Sequence, residues 1–239
     1  MKKHIPNTLT LLNLFCGCSA LIALFNAQNT YVFWFIGIGL IADVFDGAAA
    51  RLLEVSTPMG KELDSLADMV SFGVVPAVVM YTLLEQPKFG PMQAPSFDPL
   101  HLPAFMVALF AALRLAKFNL DSRQSNFFLG LPTPSTTMFA MGLLWIRHFE
   151  YPQLLPMATQ PIVLWGSIVV LSVLMVSNVP MFSLKIKSLS WKDNEIRVIF
   201  TIITVIMAGF LGLAALSLVI LTYIVLNFIP YLFKPLQKR

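Results

Sequence analysis

Apolar residues run along this chain in long blocks rather than in the alternation of a half-buried sheet. The blocks, with their breaks, predict eight helices at roughly 9–26, 31–54, 62–84, 103–121, 133–149, 161–178, 196–212 and 214–233. The last two share one uncharged run, 198–233, of 36 residues. As a single helix it would be about 54 Å long, against a hydrocarbon core of about 30 Å. Gly209 and Gly212 sit midway and suit a tight turn, so two spans fit better than one. The second and third blocks differ from the rest because charges intrude into them.

Composition points to a bilayer as the solvent. Of 239 residues, 57% are hydrophobic and 12% charged, and the mean hydropathy is +0.78. A soluble domain carries about 25% charged residues. The net charge of +4 is modest, and the basic residues lie between apolar runs instead of on one soluble face. This argues against a nucleic-acid partner and for membrane orientation. With the N-terminus in the cytoplasm, Lys2, Lys3, Arg51, Lys61, Arg114, Lys117, Arg123, Lys185, Lys187, Lys192, Arg197, Lys234, Lys238 and Arg239 face inward. Only Lys88 and Arg147 face outward. The expectation is an all-α polytopic bundle in the cytoplasmic membrane of a prokaryote, with both termini cytoplasmic. It forms one catalytic domain over 1–239. Lys2, Lys3 and the apolar run after them imitate a signal peptide, but Asn13 interrupts the run, so it reads as a retained first helix. Cys16 and Cys18 read as small packing residues, and His4, His101 and His148 carry no evident chemistry.

Four of the 12 acidic residues, Asp43, Asp46, Asp64 and Asp68, fall within 26 positions. Each acid in a span costs several kcal/mol unless it is paired or bound to metal. At about 100° per residue, Asp43, Asp46, Gly47, Ala50 and Arg51 share an arc of about 140°, and Gly60, Asp64, Asp68 and Ser71 one of about 80°. The two helices are antiparallel neighbours joined by a turn containing Thr57, Pro58 and Gly60. The carboxylates therefore meet in the inner leaflet, the deepest about 12 Å below the surface. Hard oxygen ligands suit Mg²⁺ or Mn²⁺, and two such ions about 4 Å apart can clamp a diphosphate. Gly47 and Ala50 remove bulk, Arg51 can grip phosphate, and one carboxylate can remain free as a general base. A cation transporter is the rival from another class. It gives no reason for Arg51 beside the ligands, since a fixed cation weakens binding of a transported one.

The pattern Asp43-x2-Asp46-Gly47-x2-Ala50-Arg51-x8-Gly60-x3-Asp64-x3-Asp68 resembles, without departure, the signature of the CDP-alcohol phosphatidyltransferase family. The resemblance implies a six-helix core, about 5–180 here, with its site on the cytosolic side and two further spans at about 196–233. It implies that Asp43, Asp46 and Asp64 ligate two divalent ions, Mg²⁺ or Mn²⁺, with Asp68 as shared ligand and catalytic base. It also implies that Asp46, Gly47, Arg51 and Gly60 hold the CDP-lipid, and Thr57 joins them from the turn. Asn7, Thr10 and Asn13 fall in a segment that lies near the nucleotide in the family. A homodimer is a further implication.

The flanks bear on the acceptor. Asp68-Met-Val-Ser71-Phe72-Gly73-Val-Val-Pro76-Ala77, Arg114-Leu-Ala-Lys117-Phe118-Asn119 and Gly130-Leu-Pro132-x-Pro134 resemble segments of the phosphatidylserine synthases of that family. The implied reaction is transfer of a phosphatidyl group from CDP-diacylglycerol to L-serine, among membrane lipids. Ser71, Arg114, Lys117 and Asn119 are the acceptor candidates. Arg114 or Lys117 could pair with the serine carboxylate, and Asp121, on the same face, with its ammonium. The same-class alternative is glycerol 3-phosphate or an inositol phosphate, for which the chain offers few convergent cations. Pro134-Ser135-Thr136-Thr137 is more hydroxylated than the small apolar residues expected there.

Overall fold

The computed structural model describes residues 4–55, 57–87, 90–120, 128–182 and 191–233. Asp121 lies outside these residues, as do Lys2, Lys3, Lys88, Arg123, Lys185, Lys187, Lys234, Lys238, Arg239 and the side chain of Lys192.

Helices α1 (His4–Phe25) and α2 (Asn29–Leu52) pair across a tight turn in which Ala27 takes a φ of 55°. Helix α3 (Pro58–Asp68) begins at Thr57, whose hydroxyl accepts from the Gly60 N–H at 3.0 Å. Pro58 follows, at a position where a missing N–H costs nothing. The helix then widens into a π segment, Met69–Val74, and resumes as α4 (Val75–Glu85). Pro76 accounts for the widening. It has no N–H to donate, and in an α-helix its ring would strike the Phe72 carbonyl. The wider turn is visible in Val75, whose N–H bonds to the Val70 carbonyl five residues back. The Thr137 hydroxyl donates to the Phe72 carbonyl at 3.4 Å.

A 3-10 turn, Pro99–Phe105, leads into α5 (Met106–Leu120). After it come α6 (Thr133–His148), the short α7 (Leu155–Thr159), α8 (Pro161–Val176), α9 (Trp191–Leu211) and α10 (Ala215–Phe233). Strand β1 (Phe128–Leu129) pairs antiparallel with β2 (Pro180–Met181), tying the entrance of α6 to the exit of α8. Gly130 makes this possible: its φ is +75°, and a Cβ there would stand 2.5 Å from the Met175 carbonyl oxygen.

Each of the eight expected helices is present, with bounds shifted by a few residues. Five stretches are long and apolar enough to cross a membrane: His4–Phe25, Asn29–Leu52, Pro58–Glu85, Pro99–Leu120 and Asn194–Phe228. Helices α6 and α8 have 16 residues each, and α6 opens on four hydroxyl side chains. The Asn194–Phe228 stretch turns back on itself through Gly212–Ala214, where Gly212 takes a φ of 55°. Phe200 and Tyr223, at similar distances on either side of that turn, bring their rings to 5.7 Å.

Helix α4 is the central rod, with Val75 through Leu83 all buried. A helix apolar all round demands neighbours on every side; here these include α1, α5 and α6. Two pairs of contacts fix their registers. Asn119 Nδ2 donates to Ser65 Oγ at 2.8 Å, and Ala111 packs on Gly73, so α5 runs antiparallel to α3 and α4. Thr137 meets Phe72, and Arg147 donates to the carbonyls of Pro87 and Gly90 at 2.8 and 3.0 Å, so α6 runs parallel to α3 and α4.

Candidate active site

Asp43 and Asp46 project from the end of α2, and Asp64 and Asp68 from α3. One carboxylate oxygen from each of Asp43, Asp64 and Asp68 lies within 4.8 Å of the others. Asp46 stands slightly apart, because its Oδ2 accepts from the Thr10 hydroxyl at 2.5 Å. The structure thus brings three of the four expected carboxylates into one cluster and ties the fourth to α1.

Helix α1 presents one polar face to this cluster. Asn13 Nδ2 donates to Asp68 Oδ1 at 3.3 Å. The next turn carries Gly17, where a Cβ would stand 2.4 Å from Ser71 Oγ. On the other side, a Cβ at Gly39 of α2 would stand 3.2 Å from Asn13 Oδ1. Missing side chains therefore let α1 seat between α2 and the π segment, which sets Thr10 and Asn13 against the acids.

A cleft opens beside the cluster, lined by Asn7, Thr10, Asp46, Gly47, Thr57 and Gly60, with Asp64 at its edge. These are six of the eight residues expected to hold the CDP-lipid. Of the other two, Asn13 lies behind at Asp68, and Arg51 is exposed on the turn after Gly47. A Cβ on Gly47 would meet only Arg51 Nη1, at 3.6 Å. Lys61 also lines the cleft. It adjoins Gly60 in the first turn of α3, a placement that the family pattern does not mark.

The acceptor candidates divide. Arg114 is buried, with its guanidinium 5.9 Å from the Phe118 ring and within electrostatic reach of Asp68. Ser71 is buried as well, but its hydroxyl donates to the Asn13 carbonyl at 2.9 Å and serves the α1 contact. Lys117 donates to the Val176 carbonyl at 3.1 Å and to Asn178 Oδ1 at 2.7 Å, closing the end of α8. Asn119 holds Ser65, and its carbonyl accepts from Lys61 Nζ at 2.8 Å. Ideal helix geometry could not find these partners, because they come from other helices.

The donor set fits a divalent cation. Three hard carboxylate oxygens converge, and no Lys or Arg among the described residues forms an ion pair with any of the four aspartates. Negative charge gathered this way in a membrane-spanning bundle needs a cation to offset it.

A family model described as CDP-alcohol phosphatidyltransferase matches residues 3–229. The chain belongs to that family. As a CDP-alcohol phosphatidyltransferase it has relatives across distant organisms. The CDP-diacylglycerol–serine O-phosphatidyltransferase of Helicobacter pylori strain J99 is 32% identical over 232 residues, covering 95% of this chain and 91% of that one. The Bacillus subtilis protein of that name is 36% identical over 160 residues, covering 66% and 82%. The Saccharomyces cerevisiae one is 35% identical over 156 residues, covering 59% and 53%. The match to the family runs from α1 through most of α10, across both the aspartate cluster and the C-terminal hairpin.

Proposed function

We propose that this transferase moves the phosphatidyl group of CDP-diacylglycerol to the hydroxyl of L-serine, giving phosphatidylserine and CMP. The observation that carries the reading is the convergence of Asp43, Asp64 and Asp68 beside a cleft floored by Gly47 and Gly60. The likeness, over nearly the whole chain, to proteins named CDP-diacylglycerol–serine O-phosphatidyltransferase supports serine as the acceptor.

Asp43, Asp64 and Asp68 would hold one divalent cation, and Asp46 would join in holding a second, either Mg²⁺ or Mn²⁺. When bound, such cations neutralise diphosphate charge and make phosphorus more electrophilic. The remaining work belongs to the chain. Gly47 and Gly60 let the diphosphate lie close to the backbone, and Arg51 pairs with its oxygens. Asn7, Thr10 and Thr57 contact the nucleotide side of the cleft. Asn13 fixes one oxygen of Asp68, leaving the other to take the proton from the serine hydroxyl. The serine oxygen forms a bond to the lipid-linked phosphorus as the bond to CMP breaks. Arg114 steadies the serine carboxylate. The site faces the cytoplasm in the inner leaflet of a prokaryotic cytoplasmic membrane, an orientation supported by the placement of fourteen of the 16 basic residues. The family resemblance adds a homodimer, to be checked by the mass of the detergent-solubilised protein.

The test is CMP release by the purified chain from CDP-diacylglycerol with Mn²⁺ and a panel of acceptors. Serine should give CMP, and glycerol 3-phosphate and an inositol phosphate should not. CMP release independent of any acceptor would defeat the reading.

A further inference from the structure

We propose that two hydroxyls of α6, Thr133 and Thr136, complete the acceptor pocket opposite Arg114 and select a small zwitterion; this rests on the serine reading above. Arg114 is 7% exposed, and Thr133 and Thr136 are 1% exposed. Arg114 Nε, Thr133 Oγ1 and Thr136 Oγ1 have no hydrogen-bond partner. Buried polar atoms are nearly always paired, because an unmade hydrogen bond costs more than a made one contributes. Three unmet groups on two helices facing one segment are a site for something that meets them.

Their directions follow from helix phase. A Cβ at Gly142 would strike Ser217 of α10, so that side of α6 faces α10. Thr133, nine residues earlier, lies about 180° away. Thr137, on Thr133's side, bonds to the Phe72 carbonyl, and Thr136 is about 60° from Thr133. Thr133 therefore faces the π segment, and Thr136 lies on the flank between that face and the α10 side. Depth follows from register. Thr137 is level with Phe72 and α6 runs parallel to α3 and α4, so Thr133 stands beside Asp68 and Thr136 beside Ser71. The antiparallel register of α5 puts Arg114 level with Val70. In depth along the bundle, all three groups lie within one turn of Asp68, the proposed base.

Serine offers a carboxylate, an ammonium and the reacting hydroxyl. Arg114 meets the carboxylate. Threonine hydroxyls can both donate to the carboxylate and accept from the ammonium. One guanidinium and two hydroxyls balance a zwitterion, whereas a phosphate-bearing acceptor would bring surplus negative charge. Thr133 and Thr136 are thus specificity residues.

Thr133→Val and Thr136→Val keep shape and delete only the hydroxyl. Each should raise the KM for serine by about ten-fold, leave the KM for CDP-diacylglycerol within about two-fold, and barely change kcat. Thr133→Ser and Thr136→Ser should behave as wild type. An unchanged serine KM in both valine variants would overturn the inference, and so would a parallel rise in both KM values, which marks a structural role. A second measurement needs no variant: serinamide and N-acetylserine, each lacking one charge, should be poor acceptors for the wild-type protein. If both match serine, the pocket is not built as argued. Failure of the wild type to use serine at all would instead sink the underlying reading.

Discussion

Asp46 lines the cleft and Asp68 lies in the carboxylate cluster beside it; they hold different partners, and that difference separates their mutational effects. Asp68→Asn should lower kcat by about 10²–10⁴-fold, the range of a general base, while nucleotide binding persists. Filter binding of labelled CDP-diacylglycerol alongside turnover separates the two, and an active Asp68→Asn would remove the proposed base. Thr10→Val strips Asp46 of its hydrogen bond. A bond to a charged group contributes about 1.5–3 kcal/mol, so the KM for CDP-diacylglycerol should rise about ten-fold or more with serine affinity unchanged. Chelation with EDTA should abolish CMP release, and added Mn²⁺ or Mg²⁺ should restore it. At this scale the sequence was most informative for the acids, because four carboxylates in apolar helices have no other economical explanation. It was least informative for Ser71, Lys117 and Asn119. Their partners lie 58, 59 and 54 positions away along the chain, beyond the reach of a single helix wheel.

Among the elements, the rod Pro58–Glu85 repays the closest reading. Its length and apolar character followed from the sequence. Its start did not: Thr57, Pro58 and Gly60 read as a turn before a helix at 62, whereas the helix begins at Pro58 with Thr57 as its cap. The π segment did not either, because a proline in a helix equally permits a kink or a stop. Pro76→Ala restores the missing N–H and should let α-helical bonding spread into Met69–Val74. Turnover should fall about ten-fold or more, as about an ångström of misplacement costs up to 10²-fold, without loss of thermal stability. A drop in melting temperature equal to that of a core truncation would argue instead for simple unfolding. Gly17→Val tests the neighbouring contact. Its Cβ would strike Ser71 Oγ, so α1 must move away from the π segment. Overpacking of this kind costs about 1–3 kcal/mol, and both activity and melting temperature should fall.

At the level of the whole molecule, the five stretches long enough to span were readable because bilayer-scale apolar blocks are the strongest signal a chain can carry. Short α7 and the β1–β2 pairing escaped, being too brief for any period to register. Orientation rests on charge, and labelling can check it. With Cys16 and Cys18 replaced by serine, a cysteine at exposed Gln93 should react with an impermeant thiol reagent in intact cells. One at exposed Met59 should react only after permeabilisation. The opposite pattern would invert the proposed topology. Within the bundle, the π segment acts as a phase shifter between two unlike tasks. Before it, α3 must point carboxylates toward α1 and α2; after it, α4 must satisfy apolar neighbours on every side. A uniform α-helix would lock the two phases together, so any repacking of the core would re-aim the acids. Deleting one residue between Met69 and Val74 would turn the α3 half by about 100° relative to the α4 half. The extra width therefore sets the angle between the carboxylate face of α3 and the packed faces of α4.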